Sequence, residues 1–337
     1  MKARIVNGLN TAGFAWLSPM VLLASGDNPR EQLHALWQRI GLPLLAIGIF
    51  LMLWAAGAAQ VNTSLGQLPG PAQTWAQAKN LHAEHRAERE RAEAFYERQE
   101  QRHERQLVRN PDAKLVYRDY TGAPTFYDQI WTSLQTVFAG FVLATIIAIP
   151  IGVACGLSDT LNTAISPLIQ VFKPVSPLAW LPIITIVVSA VYVTPDPMIE
   201  KSFINSALTV TLCSLWPTLI NTAVGVSRID SDLINVGRVI NLPLATRIRR
   251  IALPASLPMI FTGLRISLGI GWMVLIAAEM LAQNPGLGKF VWDEFQNGSS
   301  NSLGRILVAV ITIGLIGFLL DWLMLTLQRL VSYETDR

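Results

Sequence analysis

The chain is poor in charge and in the residues that build catalytic or metal sites. Only 15% of its 337 residues are charged, where soluble domains carry about 25%, so an ordinary soluble globular protein is excluded. The two cysteines, Cys155 and Cys213, both fall in apolar runs, where a thiol behaves as a small apolar group. They supply neither a disulfide framework nor a zinc spacing. None of the four histidines lies in a long apolar run, which disfavours a membrane-embedded enzyme built on clustered His, Glu or Asp. No Gly-x-x-x-x-Gly-Lys-Ser/Thr loop occurs, since Gly286-Leu287-Gly288-Lys289 has the wrong spacing. The net charge of +3 shows no pattern suited to nucleic acid.

What the chain does have is long apolar runs. Hydrophobic residues make up 51% of it and the mean hydropathy is +0.39, values that point to a membrane protein. No charge occurs over 129–158, 174–195 or 202–227, and a helix needs about 20 apolar residues to cross the hydrocarbon. Residues 42–59 form a slightly shorter run. Two more follow, 257–282 interrupted by Arg265 and Glu279, and 306–328 interrupted by Asp321. Six spans are expected in an all-α integral membrane protein. The apolar stretch 12–24 is short, contains Pro19, and is expected to lie at the interface. With the N-terminus inside, twelve Lys and Arg fall on the cytoplasmic side and three in the two short outer loops. Both termini are then cytoplasmic. No cleavable leader is expected, and the first span serves as an uncleaved anchor. The chain divides into a cytoplasmic segment 1–41, a first span 42–59, a periplasmic charged insert 60–128 and a core 129–330.

The insert is unlike the rest. Residues 79–109 are almost all helix formers without Gly or Pro, eight basic and seven acidic. Arg86 with Glu90 and Arg89 with Glu93 support a helix, while Glu93 with Glu97 and Arg98 with Arg102 oppose it. Apolar residues are too sparse for a buried stripe, so a solvated helix projecting from the membrane is expected. It reads either as a contact arm for an extracytoplasmic partner or as a spacer. His82 and His85 stand at i, i+3 but have no further ligand to close a metal site.

Residues 229–254 are a polar, arginine-rich stretch between two uncharged runs. Ile229, Leu233, Val236 and Ile240 share one helical face. Asp230 and Asp232 suit the helix start. Asn241 and Pro243 break the pattern, and Leu244, Ile248 and Ile251 resume it beside Arg247, Arg249 and Arg250. Two short amphipathic helices about a turn follow from this, packed rather than lying loose on the surface.

In this stretch the chain resembles the permease subunits of binding-protein-dependent ABC importers. Those carry Glu-Ala-Ala, three residues, Gly, nine residues, then Ile-x-Leu-Pro. Ile251, Leu253 and Pro254 match the end of that pattern. Asn241 stands at the Gly position, where Asn is the next-best residue for a positive-φ turn. Asn235, Val236 and Gly237 stand at Glu-Ala-Ala, so the usual Glu is missing. The resemblance runs over about 125–330. Through 253–281 and 286–297 the chain is most like nitrate permeases of the nitrate, cyanate and bicarbonate branch. The taurine and alkanesulfonate branch differs over Val291–Phe295.

The resemblance implies an ABC type I importer permease fold in the bacterial inner membrane. It implies two permease copies, paired as a homodimer around a central path. It also implies a periplasmic or lipid-anchored substrate-binding protein, and cytoplasmic ATPase subunits that bind ATP and Mg. The chain itself would bind no cofactor. A coupling helix at about 229–250 would dock on the ATPase through Ser231, Asn235, Val236, Gly237, Asn241 and Arg247, with Ile251, Leu253 and Pro254 at its end. For the anion path the candidates are Arg265, Thr209, Ser214 and Glu279. Arg265 reads either as an anion contact or as one half of a structural salt bridge, and a charge at a helix centre costs about 2.5–3.5 kcal/mol. Glu279 would repel an anion and suits a structural or gating role. Thr209, Thr211 and Ser214 line a polar path or bond back to their own helix. A channel working without ATP is the rival from another class, and it would not need the 229–254 element.

Overall fold

The computed structural model describes residues 18–25, 28–63, 66–111, 114–194, 198–230, 232, 239, 242–299 and 301–331. Helix α1 (Ser18–Ala24) is short. Helix α2 (Pro29–Leu36) continues through a π turn at Trp37–Gly41 into α3 (Leu42–Ala58). Pro43 explains the π turn. It has no N–H, and its ring crowds the carbonyl four residues back, which the wider turn moves aside. A two-residue hairpin, β1 (Asn62–Thr63) with β2 (Gly66–Gln67), leads into α4 (Pro71–Arg109). With 39 residues and no internal Gly or Pro, α4 is about 58 Å long at ~1.5 Å per residue.

Helix α5 (Phe126–Leu157) starts with a capping box. The Asp128 N–H donates to Thr125 Oγ1 at 3.4 Å, and the Thr125 N–H donates to Asp128 Oδ2 at 2.9 Å. Then come α6 (Asp159–Phe172) and α7 (Pro177–Val191), bent from one another by 100°. Helix α8 (Lys201–Ser227) precedes the loop. Helix α9 (Leu244–Arg247) passes through a second π turn, Ile248–Ala252, into α10 (Leu253–Ala282). Pro254 stands two residues past this turn, as Pro43 does past the first. Helices α11 (Leu287–Asn297) and α12 (Ser302–Val331) complete the chain.

Five of these segments are long and apolar enough to cross a membrane, and a sixth crossing exists only if α6 and α7 count as one bent span. The uncharged run 174–195 therefore differs from its expectation. Its helix has 15 residues, about 22 Å, short of the ~30 Å hydrocarbon. Ser176 caps its start, with the Leu178 N–H bonded to its Oγ at 3.3 Å, and Pro177 fixes the first position. The expected second short helix leads into the following span without a break.

Helix α8 is the centre of the bundle, with 61% of its apolar window buried against 17–50% for α5, α10 and α12. It lies between α5 and α10, and glycines set the approach. A Cβ on Gly152 of α5 would stand 2.7 Å from the Leu219 carbonyl oxygen, and one on Gly263 of α10 would stand 2.9 Å from Thr218 Cα. Small residues that let backbones meet are the usual basis of helix association in lipid, where no hydrophobic force drives it. Pro217 interrupts α8. Here the Thr218 N–H donates across to Ser267 Oγ at 3.1 Å, the two hydroxyls lie 2.7 Å apart, and Asn221 Nδ2 donates back to the Pro217 carbonyl at 2.8 Å. Neighbouring side chains thus meet the polar demand of a proline inside a span.

The charged helix α4 sits at one end of this bundle, called here the arm end. Arg305 of α12 meets Glu84 at 2.8 Å and Glu294 at 2.8 Å, with its guanidinium over the Phe290 ring. Arg89 meets Asp128 at 2.6 Å, and Gln77 donates to Asn301 at 3.1 Å. The farther half of α4 does have a buried stripe, contrary to the sequence expectation, and it is polar. Gln99 accepts from the Arg118 N–H at 3.0 Å and Tyr96 from the Tyr120 N–H at 3.1 Å, while His103 lies 3.2 Å from the Val116 carbonyl. The returning segment 114–120 supplies that cover.

Candidate functional site

At the other end of the bundle, the loop end, the 229–254 stretch packs onto the spans. Ile229, Ile248 and Leu253 close over a buried cluster of Val153, Val226 and Ala252. Beside it, Leu157, Leu244, Arg247 and Ile251 line a small apolar cleft. Arg247 is half-buried there, with Arg249 and Arg250 exposed. Pro254 is exposed. Asp232 and Val239 are helical, the Asp232 N–H donates to Asp230 Oδ1 at 3.0 Å, and Val239 is 80% exposed. Ser231, Asn235, Val236, Gly237 and Asn241 lie outside the described residues. Among the described residues, this end turns Val239, Leu244, Arg249 and Arg250 outward, on a base that packs against α8 and continues into α10.

Within the spans the polar residues find one another. Arg265 of α10 donates to both carboxylate oxygens of Asp321 of α12, Nε to Oδ1 at 2.6 Å and Nη2 to Oδ2 at 2.7 Å. The pair borders an open groove with Thr262, Gln328 and Met273, and Gln328 Nε2 donates to Thr262 Oγ1 at 3.2 Å. Thr209 is fully buried and bonds back to the Asn205 carbonyl at 2.7 Å, and Thr211 donates to the Gly140 carbonyl at 3.1 Å. Ser214 is also fully buried, and its hydroxyl has no partner among the described residues.

Glu279, at the arm end of α10, is 0% exposed. Ser133 Oγ lies 2.9 and 2.8 Å from its two oxygens, and the Gly288 N–H donates to it at 3.0 Å. Asn284 Nδ2 stands at 3.5 Å from the carboxylate and donates to Thr136 at 3.1 Å. The Leu287 N–H donates to Ser133 Oγ at 2.9 Å. The carboxylate thus ties the start of α11 and the first turns of α5 to the end of α10. A side chain on Gly286 would collide with it, so the turn needs glycine there. Of the expected path residues, Thr209, Ser214 and Glu279 do not line the groove beside Arg265. His82 and His85 both pack on the Tyr127 ring, with His82 3.2 Å from Tyr127 Oη and His85 2.7 Å from Thr125 Oγ1, so their ring nitrogens serve hydrogen bonds. No group of three metal-ligating side chains occurs among the described residues.

Sequence reasoning missed the Ser133, Asn284 and Gly288 partners of Glu279 and the Arg305 anchor of the arm. For Arg265 the signal was present, because Asp321 was the one acidic residue in the last apolar run.

Comparison with known proteins now bears on this arrangement. The family of binding-protein-dependent transport system inner membrane components matches residues 148–333. This chain belongs to that family. As an inner-membrane transport component it is a multi-pass membrane protein. It is 38% identical over 204 residues to the nitrate import permease NrtB of Synechococcus elongatus, covering 60% of this chain and 69% of that one. It is 34% identical over 291 residues to the bicarbonate transport permease CmpB of the same organism, covering 86% and 88%. The inward-facing MetNI methionine ABC transporter shares its fold at a TM-score of 0.52, with 15% identity over 61% of this chain and 96% of that one. These relatives are transport permeases rather than enzymes, and the transport component has the type I permease fold expected from sequence.

Proposed function

We propose that the chain is the permease subunit of an ATP-driven importer that moves a small oxyanion, nitrate first, into the cytoplasm by alternating access. Two copies surround the path. ATPase subunits, which bind ATP and Mg, dock at the loop end on the cytoplasmic side, and a binding protein delivers the anion at the arm end on the periplasmic side. The observation that carries this reading is the loop-end base. Its apolar residues are built into α8 and α10 while its Arg and Val side chains face outward, as a mechanical coupling surface requires. A channel has no use for such a surface. Bicarbonate is the second reading, supported by the longer stretch over which the chain aligns with a bicarbonate permease. In either case the pairing of Arg265 with Asp321 takes away its free charge, and selectivity then rests mainly on the binding protein.

The test is reconstitution with the ATPase and binding protein in vesicles. ATP hydrolysis stimulated by nitrate supports the first reading, stimulation by bicarbonate alone supports the second, and stimulation by taurine alone removes both. Gly237→Glu abolishes transport while leaving membrane insertion intact if the 229–254 stretch is the coupling site. Normal transport by that variant removes the coupling assignment.

A further inference from the structure

Helix α4 carries a repeat of seven residues that its near-balanced charge, eight basic against seven acidic residues, conceals. Ala87, Ala94, Gln101 and Val108 recur at that interval, and all four are exposed. Three residues after each of the first three stands a glutamate (Glu90, Glu97, Glu104), and four after stands an arginine (Arg91, Arg98, Arg105). On a helix this spacing makes one narrow seam of uncharged residues, with glutamates along one flank and arginines along the other. The seam is open as a shallow groove lined by Ala87, Ala94 and Gln101 between their charged flanks. It faces away from the stripe of Gln99 and His103 that the returning segment covers.

The charges find little relief within their own helix. Their neighbours at i+3 and i+4 are mostly of the same sign, as for Arg98 with Arg102 and Glu93 with Glu97, an arrangement that destabilises an isolated helix. From 84 to 109, among the described residues, Arg91 with Glu88 at 3.2 Å is the ion pair that stays within the helix. Glu84 and Arg89 turn instead to the bundle. Arg98 and Arg102 lie against backbone carbonyls of the preceding turn. A partner that supplies arginines opposite the glutamates and glutamates opposite the arginines, at the same seven-residue interval, relieves both flanks.

We infer that this partner is the arm of a second copy of the chain, lying parallel and in register about a two-fold axis along the seam. The geometry selects this arrangement. A two-fold axis parallel to the helices brings the left flank of one against the right flank of the other, so each glutamate meets an arginine. An antiparallel pair would set glutamates against glutamates and arginines against arginines. Alanine and glutamine along the seam allow close approach, and the parallel orientation is the one expected of two membrane proteins related by an axis through the bilayer. The inference rests on the two-copy reading of the permease, and adds to it that the copies clasp one another outside the membrane through α4.

The experiment uses the full transporter in membranes, with Cys155 and Cys213 replaced by Ser. Gln101→Cys places two thiols face to face across the axis, within the ~4.4–6.8 Å Cα separation that a disulfide needs, and should give a disulfide-linked dimer on mild oxidation. Glu100→Cys, on another face, should not. Adding Glu97→Arg to Gln101→Cys should lower the yield about two- to five-fold per pair reversed. Further addition of Arg98→Glu should restore it, which loss of helix or fold would not. Equal cross-linking at 100 and 101, or none at 101, overturns the inference, as does capture of the binding protein rather than a second permease by a photo-cross-linker at 101. Light scattering separates this from the reading beneath it. A permease pair without the 101 cross-link refutes arm pairing alone, and a single permease per complex refutes both.

Discussion

Replacing Arg265 by leucine asks whether the Arg265–Asp321 pair holds the bundle or serves the anion. The substitution removes two short hydrogen bonds, of 2.6 and 2.7 Å, and leaves Asp321 charged in an apolar helix. Asp321 lies ten residues before the end of α12, about 15 Å along it. An unpaired charge at a helix centre costs about 2.5–3.5 kcal/mol, whereas an ion pair in open solvent contributes only ~0–1 kcal/mol. The side chains are 37% and 48% exposed to the groove, so the loss should fall between these limits, about 2 kcal/mol. Adding Asp321→Leu removes the stranded charge, and most of the stability should return, to within about 1 kcal/mol of the starting protein. The assay is denaturant unfolding in nanodiscs, followed by the fluorescence of Trp272, which is buried on α10 near the pair's helix interface. Transport is measured on the same samples. A single variant as stable as the parent refutes a structural pair. A stable double variant that no longer transports returns Arg265 to the anion path.

Three further outcomes follow from described contacts. Glu279→Ala strands the Gly288 N–H and its neighbours, each unsatisfied donor costing about 1–3 kcal/mol. Thermal stability should fall clearly, with Glu279→Gln intermediate, and an unchanged melting profile would refute the tie between α5, α10 and α11. Gly152→Leu should push α8 from α5 and lose folded protein in detergent extraction, since even one added methyl meets the Leu219 carbonyl oxygen at 2.7 Å. Recovery equal to the parent would refute the close approach. The hydrogen bond from Tyr120 to Glu88 holds the phenol above its ordinary range. The fold therefore favours the neutral phenol, and this contact is fully present below about pH 10 and lost as the pH rises through the shifted value. Alkaline proteolysis within 114–120 should accelerate above that point, and Tyr120→Phe should flatten the dependence. A Tyr120→Phe profile like the parent's would refute the role of the contact.

Much of the fold was legible because a membrane span is a statement about composition. The run at 42–59 became α3 within a residue, and the Gly- and Pro-free charged stretch became α4. What composition does not register is where an uncharged run bends. Ser176 and Pro177 shorten the helix within 174–195, and nothing in its hydropathy signals that. The site was less legible for a related reason. Glu279 and Ser133 are 146 residues apart and Arg265 and Asp321 are 56 apart, and periodicity within one helix says nothing about pairing between helices. The burial of Gln99 and His103 escaped because a polar stripe covered by a returning segment has no apolar signature. In α4 the opposite happened, as the seven-residue repeat was in the letters all along but its charges nearly balanced.

Helix α3 has one further consequence. None of its apolar window is buried, and Ala58 at its last turn is its one buried residue among those described. Its sequence therefore answers to the bilayer and to little in its own chain. Substitutions that keep its length and oiliness are free to accumulate, while α8, pinned on two sides by glycine contacts, should barely drift. Between homologous chains, α3 would be where identity fades first although the helix itself persists.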